Sequence, residues 1–112
     1  MSDTITPISA RDAYAMLQAH DDAVLFDIRD GAHFAASHAT GAQHLSNANL
    51  HELLNALDFD QPVLVMCYHG ISSISAGHYL ANLGFEQVFS VEGGFEGWQA
   101  AGLPVKTDTQ SR

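Results

Sequence analysis

Hydrophobic positions along this chain change period several times, and each change marks an element. Ile5 to Ile8 is short and apolar, and Pro7 within it restricts it to an edge or opening strand, because proline cannot donate to a ladder. Ser9 and Asp12 form an S-x-x-D helix-start signal. Ala10, Ala13, Met16 and Leu17 then line one face of a helix expected to end near His20. Val24 to Ile28 (V-L-F-D-I) reads as a buried strand whose exit carries Asp27, Arg29 and Asp30. Gly31 to Ser37 reads as a short helical turn, and His38 to Leu45 as a turn leading into a short strand. Leu50, Leu53, Leu54 and Leu57 recur at i, i+3, i+4 and i+7, the spacing of an amphipathic helix.

Pro62 opens V-L-V-M, a strand apolar on both faces and therefore central in a covered sheet. Ile74, Gly77, Leu80, Ala81 and Leu83 mark the next helix, with Gly84 as its C-terminal stop. Val88 to Val91 is a further strand, Gly93-Gly94 turns the chain, and Phe95 to Ala101 forms a last short helix around Trp98. Gly102-Leu103-Pro104 ends that helix, so residues 1–105 are expected to form the domain and 106–112 a flexible tail. Strands alternating with helices through short connections predict an α/β domain, with a mostly parallel central sheet and helices on both faces. Functional loops in such sheets lie beyond the carboxyl ends of the strands. Cys67, the only cysteine, follows V-L-V-M directly and falls at such an end.

Composition narrows what that end does. The chain has 112 residues, 46% apolar and 15% charged, which suits one domain with a real core. Lys+Arg is 4 against Asp+Glu at 13, a formal charge of −9, and Arg11, Arg29, Lys106 and Arg112 form no basic stripe. Binding to nucleic acid is therefore not expected. The N-terminus has no basic segment followed by an apolar run, and no apolar stretch approaches a membrane span. One free thiol suits a reducing compartment, so a cytoplasmic location is expected, as a monomer or weak dimer. The acidic surface repels anions at long range, so any anion site must work locally.

The stretch C-Y-H-G-I-S-S, Cys67 to Ser73, joins a buried strand to a helix. A loop closing onto a helix N-terminus leaves backbone N–H groups without helical partners, and these can converge on one point. If that point is the Cys67 sulfur, the thiolate is stabilised and its pKa falls below the free value of about 8.5. Oxyanions can be held by the same N–H groups. Gly70 suits a position needing positive φ or a close backbone approach. Ser72 and Ser73 can cap the helix or donate to an anion. A lone cysteine after an apolar run is more often an inert core residue, but the polar Y-H-G-x-S-S sequence behind it has no place in a core. His69, the titratable neighbour, either stabilises the thiolate and binds anions when protonated, or points into water. Tyr68 suits a lining of the entrance better than an acid.

These residues resemble the rhodanese family, in particular its short single-domain thiosulfate sulfurtransferases. The likeness runs from about Ile5 to Val105 and rests on L-F-D-I-R-D at 25–30, F-A-A-S-H-A-T-G-A-Q-H-L at 34–45, V-L-V-M-C-Y-H-G-I-S-S at 64–73, and V-E-G-G-F-E-G-W with G-L-P-V at 91–105. The resemblance implies a single rhodanese-like domain with a five-stranded sheet. It also implies that a Cys67 thiolate takes the sulfane sulfur of thiosulfate, expels sulfite, and passes the sulfur to cyanide or to a dithiol such as thioredoxin. Neither metal nor organic cofactor is implied. Tyr68, His69, Gly70, Ile71, Ser72 and Ser73 would form the substrate-binding loop, and Asp27 with Arg29 would match a D-x-R pair that supports the site. His38 would belong to a structural turn. Where many rhodaneses carry a cation at or after the loop, this chain has Ile71, Ser72, Ser73 and Ile74.

Other chemistries fit less well. Phosphatases and arsenate reductases of this fold close a longer loop with an arginine, and none follows Cys67 before Arg112. A mercaptopyruvate-type loop of the C-G-S-G kind does not match. His20, His33, His38, His44, His51 and His78 show no metal-type pairing with carboxylates, so no metal is expected. A noncatalytic rhodanese-like module would not need the cysteine, whereas a carrier delivering persulfide sulfur to a protein partner shares the first half-reaction.

Overall fold

A computed structural model describes residues 5–107. Its main sheet has five strands: β1 (Thr6–Ile8), β2 (Val24–Asp27), β4 (Gln43–His44), β5 (Pro62–Met66) and β6 (Gln87–Val91). They lie in the order β1-β6-β5-β2-β4. All four pairings are parallel. β5 is central and buried at every position, as its unbroken apolar run requires. β1, which carries Pro7, is an edge strand.

Side-chain alternation along the strands divides the core in two. Leu25, Leu64, Met66 and Val91 face one side and pack with Ala10 and Ala13 of α1 (Ala10–Ala19) and with Phe95 and Trp98 of α5 (Gly94–Ala100). Phe26, Val63, Val65 and Val88 face the other side. There they pack with Leu80 and Ala81 of α4 (Ser72–Leu83) and with leucines of α3 (Leu50–Asn55). Successive strand residues point to opposite faces, so one apolar run feeds both layers. Trp98 is fully buried and donates Nε1–H to the Pro104 carbonyl at 2.8 Å.

Helix boundaries follow local chemistry. Ser9 caps α1, its hydroxyl accepting from the Asp12 N–H at 3.1 Å. Gly84 ends α4 with φ of 117°, the left-handed conformation expected of a terminating glycine. α3 is shorter than its leucine spacing predicts. It stops at Asn55, and Leu57 instead lies in a tightened turn where its N–H reaches the Leu54 carbonyl at 3.1 Å, while still packing on the core.

A second, antiparallel pair was not predicted. β3 (His38–Ala39) pairs with β7 (Val105–Lys106), so Lys106 is a strand residue, and residues 108–112 of the expected tail lie outside the described residues. Strands of two residues carry no readable period. Among the described residues no helix is long and apolar enough to cross a membrane.

The connections place the site. From β5 the chain crosses through α4 to β6 on one side of the sheet, while β2 leads through α2 (Gly31–Ala36) to β4 on the other. The strand order therefore reverses between β5 and β2, where an α/β sheet leaves a crevice beyond its carboxyl ends. Asp27 and Met66 are partners in register there, so the segments that begin with Ile28 and Cys67 leave the sheet side by side.

Candidate active site

Cys67 is 5% exposed, and its Sγ lies under a turn of backbone. The N–H groups of Gly70 and Ser73 donate to it at 3.1 and 3.3 Å. Two features aim these donors. Gly70 has φ of 92°, and a Cβ there would meet the Gly93 nitrogen at 2.7 Å, so only glycine turns the chain this sharply beside its neighbour. The start of α5 takes the loop's carbonyls: Phe95 N–H donates to Cys67 O at 2.7 Å and Glu96 N–H to Tyr68 O at 3.1 Å. With carbonyls held outward, the loop's N–H groups face the sulfur.

Burial pushes the Cys67 thiol up, but the Ser73 hydroxyl and the N–H groups of Ser73, Gly70 and Ser72 together outweigh it, leaving the thiol below its ordinary value. Ser73 is fully buried, with its Oγ 2.7 Å from that of Ser90 in β6. Neither Ser72 nor Ser73 caps α4: the cap position is Ile71 and has no side-chain capping bond. The loop spends its first helical N–H groups on sulfur instead. A lowered thiol is deprotonated at lower pH than free cysteine, so iodoacetamide alkylation of Cys67 should show a midpoint below that of a free thiol. Ser73→Ala should move the midpoint up, and an unmoved one would assign the stabilisation to backbone groups alone.

Arg29 and Asp27 form a buried pair, 8% and 0% exposed. Arg29 Nε donates to both carboxylate oxygens at 3.0 Å, and Nη2 donates to Asp27 Oδ2 and to the Ser37 carbonyl, each at 2.7 Å. The guanidinium also lies 4.0 Å over the Phe95 ring. It thus joins the end of β2, the end of α2 and the start of α5, the helix that holds the cysteine loop.

Above the sulfur opens a depression of about 260 Å³ lined by Ile28, Arg29, Asp30, His33, Cys67, Tyr68 and Ser72. Tyr68 is half-exposed at its rim and packs edge-on against His69. His69 points outward, its Nδ1 2.9 Å from Glu96 Oε1, and does not line the depression. Ile71 and Ile74 are exposed. Larger hollows of about 590 and 690 Å³ flank the depression without including Cys67. Among the described residues no group of three or more His, Cys, Asp and Glu side chains is placed to hold a metal ion. His38 Nδ1–H donates to the Phe34 carbonyl and His44 Nε2–H to that of Arg29, at 2.9 and 2.7 Å.

Sequence reasoning missed Ser90, Asp30 and His33 as parts of this region. Ser90 is a polar residue in the otherwise apolar strand segment V-F-S-V, and Asp30-x-x-His33 is a carboxylate and an imidazole one helical turn apart. Both signals were present but gain meaning only beside Cys67.

The family model for the Rhodanese-like domain matches residues 9–101. A thiosulfate sulfurtransferase GlpE from Actinobacillus pleuropneumoniae is 45% identical over 107 residues, covering 96% of this chain and 98% of the relative. Another, from Actinobacillus succinogenes, is 51% identical over 102 residues, covering 91% of each. Among solved structures, the polysulfide-sulfur transferase homodimer from Wolinella succinogenes superimposes with a TM-score of 0.79 at 31% identity, covering 96% of this chain and 82% of that one. The match spans both strand ends that form the depression, and the chain belongs to the rhodanese-like domain family.

Proposed function

We propose that this protein is a thiosulfate sulfurtransferase working through a Cys67 persulfide. The observation that carries the reading is the Cys67 thiol, held below its ordinary pKa by inward N–H groups at the floor of a lined depression. The names of the relatives supply the donor: they are thiosulfate sulfurtransferases.

In the first half-reaction the Cys67 thiolate attacks the outer sulfur of thiosulfate. The S–S bond of thiosulfate breaks, sulfite leaves with the electron pair, and Cys67 carries a persulfide anion. The N–H groups of Gly70, Ser72 and Ser73 stabilise the negative charge on both sides of this step. In the second, cyanide or the thiolate of a dithiol such as thioredoxin attacks the outer sulfur. The Sγ–S bond breaks with its pair on Sγ, which is the anion the loop already stabilises, and the cycle closes as a ping-pong reaction. Each step is driven by the electron pair of its nucleophile: Sγ in the first, the cyanide carbon or the acceptor sulfur in the second. Tyr68, His69, Gly70, Ile71 and Ser72 shape the loop, while Asp27 and Arg29 support it from below. A thiol that must cycle in this way suits a reducing compartment such as the cytoplasm.

Phosphoryl transfer is disfavoured by the same geometry. Arg29, which lines the depression, has Nε and Nη2 turned to Asp27 and Ser37, and the loop after Cys67 supplies no arginine to close as a clamp. Incubation with thiosulfate followed by intact-mass measurement should show a gain of one sulfur atom, lost in Cys67→Ser. Thiocyanate should be released from cyanide, with no hydrolysis of aryl phosphate. A parent protein that gains no sulfur overturns the reading.

A further inference from the structure

The persulfide chemistry above leaves one group in the depression without a task. His33, in the first turn of α2, lines it together with Cys67, and its ring lies 6.1 Å from that of Tyr68. Asp30 caps this helix by accepting the His33 N–H at 2.9 Å. The same carboxylate grips the ring, with Nδ1 at 2.8 Å from Oδ1 and 3.0 Å from Oδ2. The His33 backbone N–H, then its ring, hold the Asp30 carboxyl below its ordinary range. An ionised carboxylate only accepts, so Nδ1 carries a hydrogen. That leaves Nε2 as the nitrogen on which a proton can come and go.

The persulfide mechanism needs such a site once. An incoming thiol must lose its proton before it attacks the outer sulfur, whereas thiosulfate and sulfite need lose none. The other groups lining the depression do not serve. The Arg29 guanidinium only donates and is held by Asp27 and Ser37, Asp30 is engaged by His33, Cys67 is bonded to the sulfur in transit, and Tyr68 is a phenol. His69 is bound to Glu96 outside. A histidine oriented by a carboxylate through Nδ1 is the arrangement that presents Nε2 as a base.

We propose that His33, oriented by Asp30, is the general base that deprotonates a thiol acceptor in the second half-reaction. The thiol proton moves to His33 Nε2, and the acceptor sulfur bonds to the outer persulfide sulfur. The Sγ–S bond breaks with its pair on Cys67. The products are an acceptor persulfide anion, the Cys67 thiolate and a protonated imidazole beside Asp30, which then releases its proton to water. The inference rests on the persulfide reading, and its test checks that first.

The protein is loaded with thiosulfate, freed of excess, and its persulfide verified by intact mass. It is then mixed near neutral pH with dithiothreitol or with sulfite, and persulfide loss is followed in a single turnover. Only a few per cent of a free thiol is ionised at neutral pH, which bounds the gain from a base, so His33→Ala should slow the dithiothreitol reaction about tenfold. It should leave loading and the sulfite reaction unchanged. Added imidazole should restore the thiol reaction of His33→Ala, and Asp30→Asn, which keeps a capping side chain, should slow it less. His33 is 64% exposed on its side chain, so its replacement leaves the core untouched. Unchanged thiol reactivity in His33→Ala, an equal slowing with sulfite, or no rescue by imidazole would each overturn the proposal. A parent protein that never loads sulfur overturns the sulfurtransferase reading itself.

Discussion

Replacing Asp27 with alanine is expected to destabilise the domain by about 3–5 kcal/mol, seen as a large fall in the urea midpoint. Asp27 is fully buried and is the carboxylate partner of an Arg29 that is itself 8% exposed. Removing it strands a guanidinium in a low-dielectric site, where an unpaired charge costs far more than the pair contributes. A loss of this size is a large share of the roughly 5–15 kcal/mol that holds a typical domain together. The double variant Asp27→Leu with Arg29→Met should recover most of it, because apolar residues of similar volume fill the space without a desolvated charge. The two variants should part on activity. The double variant lacks the bond to Ser37 O and the contact over Phe95, so it should fold yet load sulfur poorly. Full activity in the double variant would show that the pair supports the fold alone.

Gly94→Ala should combine a stability loss of about 2–4 kcal/mol with a fall in sulfur loading of about 10²-fold. Gly94 has φ of 57°, and a Cβ there would run into the Cys67 carbonyl oxygen and the Tyr68 carbonyl. Those carbonyls are the ones α5 holds outward so that the loop's N–H groups face the sulfur. Displacing them spoils the aim of the donors and the position of Cys67 together. Gly102→Ala is the control, because that glycine has φ of 73° but open space around its Cβ position. It should lose about 1 kcal/mol from backbone strain and load sulfur normally. Loading at the parent rate in Gly94→Ala would remove α5 from the account of the site. Stability is read by urea unfolding followed by tryptophan fluorescence, since the one tryptophan, Trp98, is fully buried, and loading by intact mass.

Much of this arrangement was legible in the residues themselves. The run V-L-V-M had to be a central strand, because an element apolar at every position has no solvent face. Pro7 had to put its strand at an edge, and Gly84 had to end a helix, because each lacks what the alternative requires. The polar sequence after Cys67 marked the loop as a candidate site for the same kind of reason: a buried strand does not need Y-H-G-I-S-S behind it. These are local constraints, and local constraints survive without a fold.

What the sequence did not contain are relations between segments far apart in the chain. β3 and β7 are each two residues long, too short to show a pattern before the chain brings them together. Ser73 and Ser90 read as unrelated polar residues until α4 and β6 place their hydroxyls 2.7 Å apart. His69, next to the cysteine loop's glycine, turned out to face Glu96, while His33, more than thirty positions before Cys67, lines the depression with it. Sequence alone determined most of the elements and singled out the cysteine loop as a candidate, because propensity, period and backbone freedom are properties of short segments. The tertiary structure alone decided which groups face the sulfur, because direction in space is set by packing between segments, and no residue carries that information by itself.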